Sequence, residues 1–198
     1  SIAIGNSNTG IYSHTANGLA ITLGGVYKAV FASTEIDFYS PVVMSTTLTV
    51  QGQLTGKGTA TNDSAAATYI GEYIESTFSG VNAPTSDQWG DATSISLTAG
   101  DCDVTFTGVW GSNTATGWSR EQIGISSTSG NSNTGLSLGV NHESFIQATA
   151  DTFGNIPLVV PVYRMSLAST TTIYAKMQAR YTGGVPQIYG RLSARRVR

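Results

Sequence analysis

The chain has 198 residues, with 10 basic and 12 acidic side chains and a formal net charge of −2. Its apolar content of 40% is too high for a disordered tail, yet the apolar residues come singly or in short runs, none long enough to span a bilayer, so membrane insertion is not expected. Few charges, with abundant Gly, Ser and Thr, suit a β-rich protein better than a helical one.

Residues 1–61 read as very short extended segments, 19–23 (LAITL), 26–31 (VYKAVF), 36–38 (IDF), 42–44 (VVM) and 48–50 (LTV). Gly24-Gly25, residues 32–34, Ser40-Pro41 and Gly52 punctuate them, and the apolar residues within them alternate with period two, as half-buried strands require. Short hairpins that each expose one apolar row bury too little area to offset their ordering entropy. This region is therefore expected to need partner chains, and a closed symmetric assembly would also remove its open edges, whether dimeric or trimeric.

Residues 52–68, Gly- and Thr-rich and then an Asp63-led run of alanines, form the domain boundary, which places the head at 62–198. Beyond it lie eight strand candidates: 69–78, 93–97, 101–110, 118–126, 136–140, 158–167, 172–181 and 187–196. Alternation is clearest near the end. Tyr163, Met165 and Leu167 share one face, as do Ile173, Ala175, Met177, Ala179 and Tyr181, while Lys176, Gln178 and Arg180 point the other way. Eight strands, long Gly/Ser/Asn connections and no amphipathic helix predict an all-β chain whose head is a two-sheet jelly roll (β-sandwich).

Seven of the ten basic residues, from Arg164 to Arg198, follow the last acidic residue, Asp151. No aromatic-interleaved basic groove accompanies them, so pairing with Glu72, Glu75, Asp101 or Asp103 in the same or a neighbouring chain is expected rather than nucleic-acid binding. The single cysteine, Cys102, reads as a buried small hydrophobe. The chain starts at Ser1 without Met or leader, which reads as a processed chain or a fragment of a longer protein.

Several stretches carry a resemblance. Residues 93–104 (TSISLTAGDCDV), 172–180 (TIYAKMQAR) and 189–198 (YGRLSARRVR) resemble segments of bacteriophage tail and virion fibre proteins, as do 62–67 (NDSAAA) and 71–73 (GEY). Upstream, 9–12 (TGIY), 18–21 (GLAI) and 25–30 (GVYKAV) look like the stem repeats of such fibres. Residues 111–157 are not covered, and Cys102 stands where similar proteins usually carry Trp. The resemblance implies a homotrimer with a slender β stem at 1–61 and a head at 62–198, located on the virion and joined upstream to other virion proteins. It implies attachment to a host cell-surface glycan or protein receptor, with no catalytic residues to transfer. The stem could be a triple β-helix, a β-prism or stacked hairpins.

Enzymatic motifs are weak. Gly135-Leu-Ser137-Leu-Gly139 matches a nucleophile elbow and His142 follows, but the segment after it shows no capped amphipathic helix. Residues 52–59 approach a phosphate loop with one residue too few and Gly58 where Ser or Thr must bind the metal. Two histidines and one cysteine leave a closed zinc site short of ligands, so no metal or cofactor is expected. Paired Asp101 and Asp103 suit a solvated strand face better than glycosidase chemistry.

Binding has more support. The polar segments 111–117 and 126–135 adjoin Trp110, Trp118 and Arg120, and aromatic rings with nearby amides and guanidiniums are what saccharides require. The candidate ligand-binding residues are Trp110, Asn113, Trp118, Arg120, Asn131 and Asn133, the tryptophans reading equally as core anchors. The expected role is attachment through glycan-binding loops, set against a purely structural trimerisation cap and a glycan-degrading spike.

Overall fold

The computed structural model describes residues 2–4, 6–15, 18–24, 26–31, 36–38, 42, 49, 65–67, 69–111, 117–150 and 155–197. Every regular element among them is a strand. The chain divides into two compact units, Ser1–Thr59 and Ala60–Arg198.

The first unit holds one antiparallel sheet whose strands follow chain order: β1 (Ile2–Ile4), β2 (Asn6–Thr15), β3 (Gly18–Leu23), β4 (Val26–Phe31) and β5 (Ile36–Phe38). Neither β1 nor β2 was among the expected strands; β1 is only three residues long, and β2 is rich in Asn, Ser and Thr, which mask the alternation. The register sets Ile21 opposite Ile11, Leu19 opposite Phe31 and Phe31 opposite Ile36. Leu19, Ile21, Leu23, Phe31, Ile36 and Phe38 are each 36% to 55% exposed, whereas Ala20 and Val30 on the alternate positions are buried. The segments expected at 42–44 and 48–50, apart from Val42 and Thr49, and most of the 52–68 boundary lie outside the described residues.

Among its described residues the second unit contains eight strands: β6 (Tyr73–Asn82), β7 (Trp89–Leu97), β8 (Gly100–Gly111), β9 (Trp118–Ser126), β10 (His142–Ala150), β11 (Ile156–Leu167), β12 (Thr171–Arg180) and β13 (Gln187–Arg196). The first pairs with the last, the second with the seventh, the third with the sixth and the fourth with the fifth, all antiparallel. That is one long hairpin. Rolling it up adds β13 to β8 and β12 to β9, which closes two four-stranded sheets, β10-β9-β12-β7 and β11-β8-β13-β6. This strand order defines a jelly roll.

The core between the sheets includes the β12 row that alternation predicts, with rows from β8, β9 and β13. Ile173, Ala175, Met177 and Ala179 of β12, Ile123 and Ile125 of β9, Val104 and Phe106 of β8, and Ile188 and Leu192 of β13 are all buried in it. Phe78 meets Phe106 edge to face, with ring centroids 5.9 Å apart. Each fully buried side chain of this size contributes about 1.5–3 kcal/mol over its exposed state. Cys102 is a buried free thiol in the same core.

The basic C-terminal stretch is largely accounted for by ion pairs within the chain. Arg164 pairs with Asp101 (2.6 Å), Arg191 with Glu75 (3.5 Å) and Arg196 with Glu72 (2.8 Å), while Lys176 and Arg180 pair with Asp91 and Asp87. The Arg196 clamp is buried, and its guanidinium also reaches the Ala99 carbonyl at 2.9 Å and the Thr98 hydroxyl.

One strand differs from expectation. The alternating run at 136–140 forms no strand beyond an isolated bridge from Leu138 to His142, and the fifth strand of the head is β10 instead. Asn141 explains the difference. Its side chain donates to the carbonyls of Ile125 (2.8 Å) and Gly135 (2.7 Å) and accepts from the Ser137 amide (2.8 Å), so the run is tied into a compact loop before β10 begins.

Candidate functional site

The long β9–β10 connection, residues 127–141, does not stand away from the sandwich. Asp91 of β7 holds it: one carboxylate oxygen accepts from the Ser129 hydroxyl (2.7 Å) and the Gly130 amide (2.8 Å), and the other accepts from Lys176 of β12. The lysine ammonium also donates to the Gly130 carbonyl, and the side chain is fully buried. Burial alone would raise the pKa of Asp91. The hydrogen bonds from Gly130, Lys176 and Ser129, together with the lysine charge, outweigh it and hold the carboxyl below its ordinary value.

Gly124 lets the loop lie against the sheet. A Cβ there would stand 2.7 Å from Leu136 Cδ2 and 3.2 Å from the Asn141 carbonyl, so only a glycine permits this approach without a shift.

Beside this seat, on the face of the β10-β9-β12-β7 sheet opposite the core, a pocket of about 270 Å³ is lined by Trp89, Arg120, Gln122, Asn133, Leu136, His142 and Gln178. Register explains the grouping. Trp89, Gln178 and Gln122 lie directly opposite one another across β7, β12 and β9, and Arg120 follows one step along β9 on the same side. Arg120 donates through Nη2 to Asp87 (2.7 Å) and to Gln178 Oε1 (3.3 Å), while Gln178 Nε2 donates to the Asp87 carbonyl (2.6 Å). Arg180 grips the same Asp87 carboxylate with Nε at 2.9 and 2.7 Å. Asp87 adopts a left-handed φ of 66°, which turns the β6–β7 loop so that its side chain meets both guanidiniums.

His142 hydrogen-bonds Gln122 through Nε2 at 2.9 Å and meets Trp89 edge to face, with ring centroids 5.2 Å apart. Burial lowers its pKa from the ordinary imidazole value, Glu143 offsets part of this, and Arg120 lowers it further. The ring is therefore neutral at neutral pH, a hydrogen-bonding group rather than a charge.

Of the residues expected to bind ligand, Arg120 and Asn133 line this pocket. Asn131 is exposed in the same loop but is not part of the lining. Asn113 lies outside the described residues. Trp110 and Trp118 are 0% and 1% exposed inside the core, which corrects their reading as saccharide platforms: burying a large aromatic ring between the sheets is worth more than presenting it. Sequence reasoning missed Trp89, Gln122, Leu136, His142 and Gln178 as pocket residues. The one available signal was the polar row of Lys176, Gln178 and Arg180 on β12.

The chain is thus an eight-stranded jelly roll with a polar pocket on the outside of one sheet, preceded by a five-stranded sheet unit. No family model and no curated protein matches it. Among solved structures it is similar to two strains of infectious bursal disease virus and to that virus's VP2 subviral particle. The Gx strain structure gives a TM-score of 0.40 at 8% identity over 73% of this chain and 38% of that one. The VP2 particle gives 0.40 at 9% over 89% and 42%, and the Gt strain 0.35 at 10% over 91% and 41%. The chain therefore spans about two fifths of the length of these proteins. At such scores the likeness adds nothing to what the strand order itself defines.

Proposed function

We propose that this chain is a non-enzymatic component of a virion fibre or spike, homotrimeric, whose jelly-roll unit attaches to saccharides on a host cell surface. The viral assignment rests on the sequence resemblance of residues 93–104, 172–180 and 189–198 to tail and virion fibre proteins. The binding role rests on one observation, the pocket in which Arg120, Gln122, Asn133, His142 and Gln178 present hydrogen-bonding groups beside Trp89. Amides, a guanidinium and an imidazole satisfy sugar hydroxyls, and an aromatic wall suits the apolar face of a ring. A single such site is weak, and three copies on one trimer raise avidity without any new contact.

A second reading, a structural trimerisation unit that binds no ligand, is favoured by the first unit alone. Its sheet exposes Leu19, Ile21, Leu23, Phe31, Ile36 and Phe38, and an apolar row of this size is usually covered in an assembly. Light scattering on the whole chain, followed by adhesion to host cells before and after enzymatic stripping of surface glycans, separates the readings. Attachment predicts a mass of three chains and adhesion lost on stripping. A trimer that never adheres supports the structural unit, and a stable monomer overturns the fibre reading.

A further inference from the structure

We infer that the pocket selects a saccharide bearing a carboxylate, such as a uronic or sialic acid unit, with Arg120 as the group that recognises the charge. The inference rests on the attachment reading and narrows it to a ligand class.

Charge carries the argument. Arg120 is the one charged side chain among the described residues lining the pocket, and no carboxylate lines it. The acid nearest to Arg120 in the bonding network, Asp87, is shared with Arg180, so two guanidiniums face one carboxylate and a positive charge is left over. Lys176 and Asp91, one step further along the sheet, neutralise each other. On β10 the adjoining acid, Glu143, is set opposite Ile123 rather than Gln122, on the alternate side of the strand from His142. His142 is kept neutral by burial and adds no competing charge.

Donor supply points the same way. Arg120 uses Nη2 for both of its hydrogen bonds, which leaves Nη1 without a partner among the described residues; Nε is also unpartnered but is enclosed by the protein and out of a ligand's reach. A guanidinium carries five N–H donors in a fixed fork that matches a carboxylate, so this one has capacity to spare. The volume, about 270 Å³, falls just under the usual range for small-molecule sites and suits one sugar ring rather than an extended chain. Around the charge, Gln122, Gln178, His142 and Asn133 provide donors and acceptors for hydroxyls, which a bare anion such as acetate or inorganic phosphate would leave unused.

Ligand-observed NMR on the whole chain tests this, with glucuronic acid, N-acetylneuraminic acid, glucose, acetate and inorganic phosphate as separate probes. The expected result is that one of the acidic sugars binds about tenfold to a hundredfold more tightly than glucose, acetate or phosphate, the range that a charge-assisted hydrogen bond supplies. Arg120→Gln should abolish this preference. Arg120→Lys should retain part of it, and Asn133→Ala, on the exposed loop, should weaken all sugars alike. Selectivity of the unaltered chain decides the matter even where the Arg120 variants fold poorly. Glucose binding as tightly as the acidic sugars would overturn the inference and leave attachment standing. Acetate or phosphate binding as tightly would also overturn it, showing an anion site indifferent to the sugar. No binding by any sugar would overturn both the inference and the pocket's role in attachment.

Discussion

Lys176 and Asp91 face each other across β12 and β7, the lysine fully buried, and the same carboxylate fastens the 127–141 loop through Ser129 and Gly130. One ion pair therefore joins two strands of the sheet and positions one wall of the pocket. Removing either partner leaves the other charge uncompensated, and the two sides are unequal because Asp91 retains 22% side-chain exposure whereas Lys176 has none. Asp91→Ala is expected to cost about 3–5 kcal/mol in urea unfolding and to raise loop amide exchange around Gly130. Lys176→Met, which fills a similar volume, should cost less, and an equal or larger loss would show that the pair is not what holds the loop.

Gly124 offers a way to move the loop with little disturbance of the core. Valine at this position drives a side chain into Leu136 and the Asn141 carbonyl. Gly124→Val should lower stability by about 1–3 kcal/mol, the usual range for overpacking. It should also reduce saccharide binding more than an equally destabilising change on the inner face, such as Ile125→Val. Equal effects on binding would detach the loop from the pocket.

Glu121 is buried among core residues of β9, and neither carboxylate oxygen has a hydrogen-bond partner among the described residues. Burial raises its pKa from 4.5 to about 7. The folded state then holds a proton that the unfolded chain has already released. Stability is accordingly full below about pH 4.5, falls as pH rises towards 7, and stays reduced above it. Glu121→Gln, a neutral isostere, should flatten this slope: little change in melting temperature near pH 4, and a gain of roughly 1–3 kcal/mol near pH 8. A variant whose stability tracks the parent at both pH values would place the ionisation elsewhere.

The exposed apolar row of the first unit makes the assembly proposal testable by charge. Ile21→Glu with Leu23→Glu keeps strand length but sets two carboxylates on the face expected to meet partner chains. Light scattering should then report a fall from three chains to one, with the circular dichroism of the jelly-roll unit retained. An unchanged trimer would mean that the contacts holding the chains together are made elsewhere.

Much of the sandwich is legible from local pattern. The alternation of Ile173, Ala175, Met177 and Ala179 against Lys176, Gln178 and Arg180 identifies β12 and its two faces without any knowledge of neighbours, because side chains of a strand alternate whatever it pairs with. Seven of the eight head strands among the described residues follow in the same way, since each apolar row is bounded by turn residues; β10 does not. The 136–140 run shows where this reasoning stops: its alternation is real, but Asn141 ties it into a loop through contacts that reach back to Ile125.

Composition and alternation by themselves determined an all-β chain, seven of the eight head strands among the described residues and the apolar row of β12, since each of these depends on residues close together in the chain. Only the tertiary structure decided that β9 lies beside β12, setting Arg120 and Gln122 next to Gln178, and that the 127–141 loop folds down over Gly124. It also decided that Trp110 and Trp118 turn inward while Trp89 lines the pocket. Strand neighbours distant in sequence, such as Gln178 and Gln122, are selected by the burial of the whole core and the register of the rolled hairpin, and no local window of sequence contains that energy.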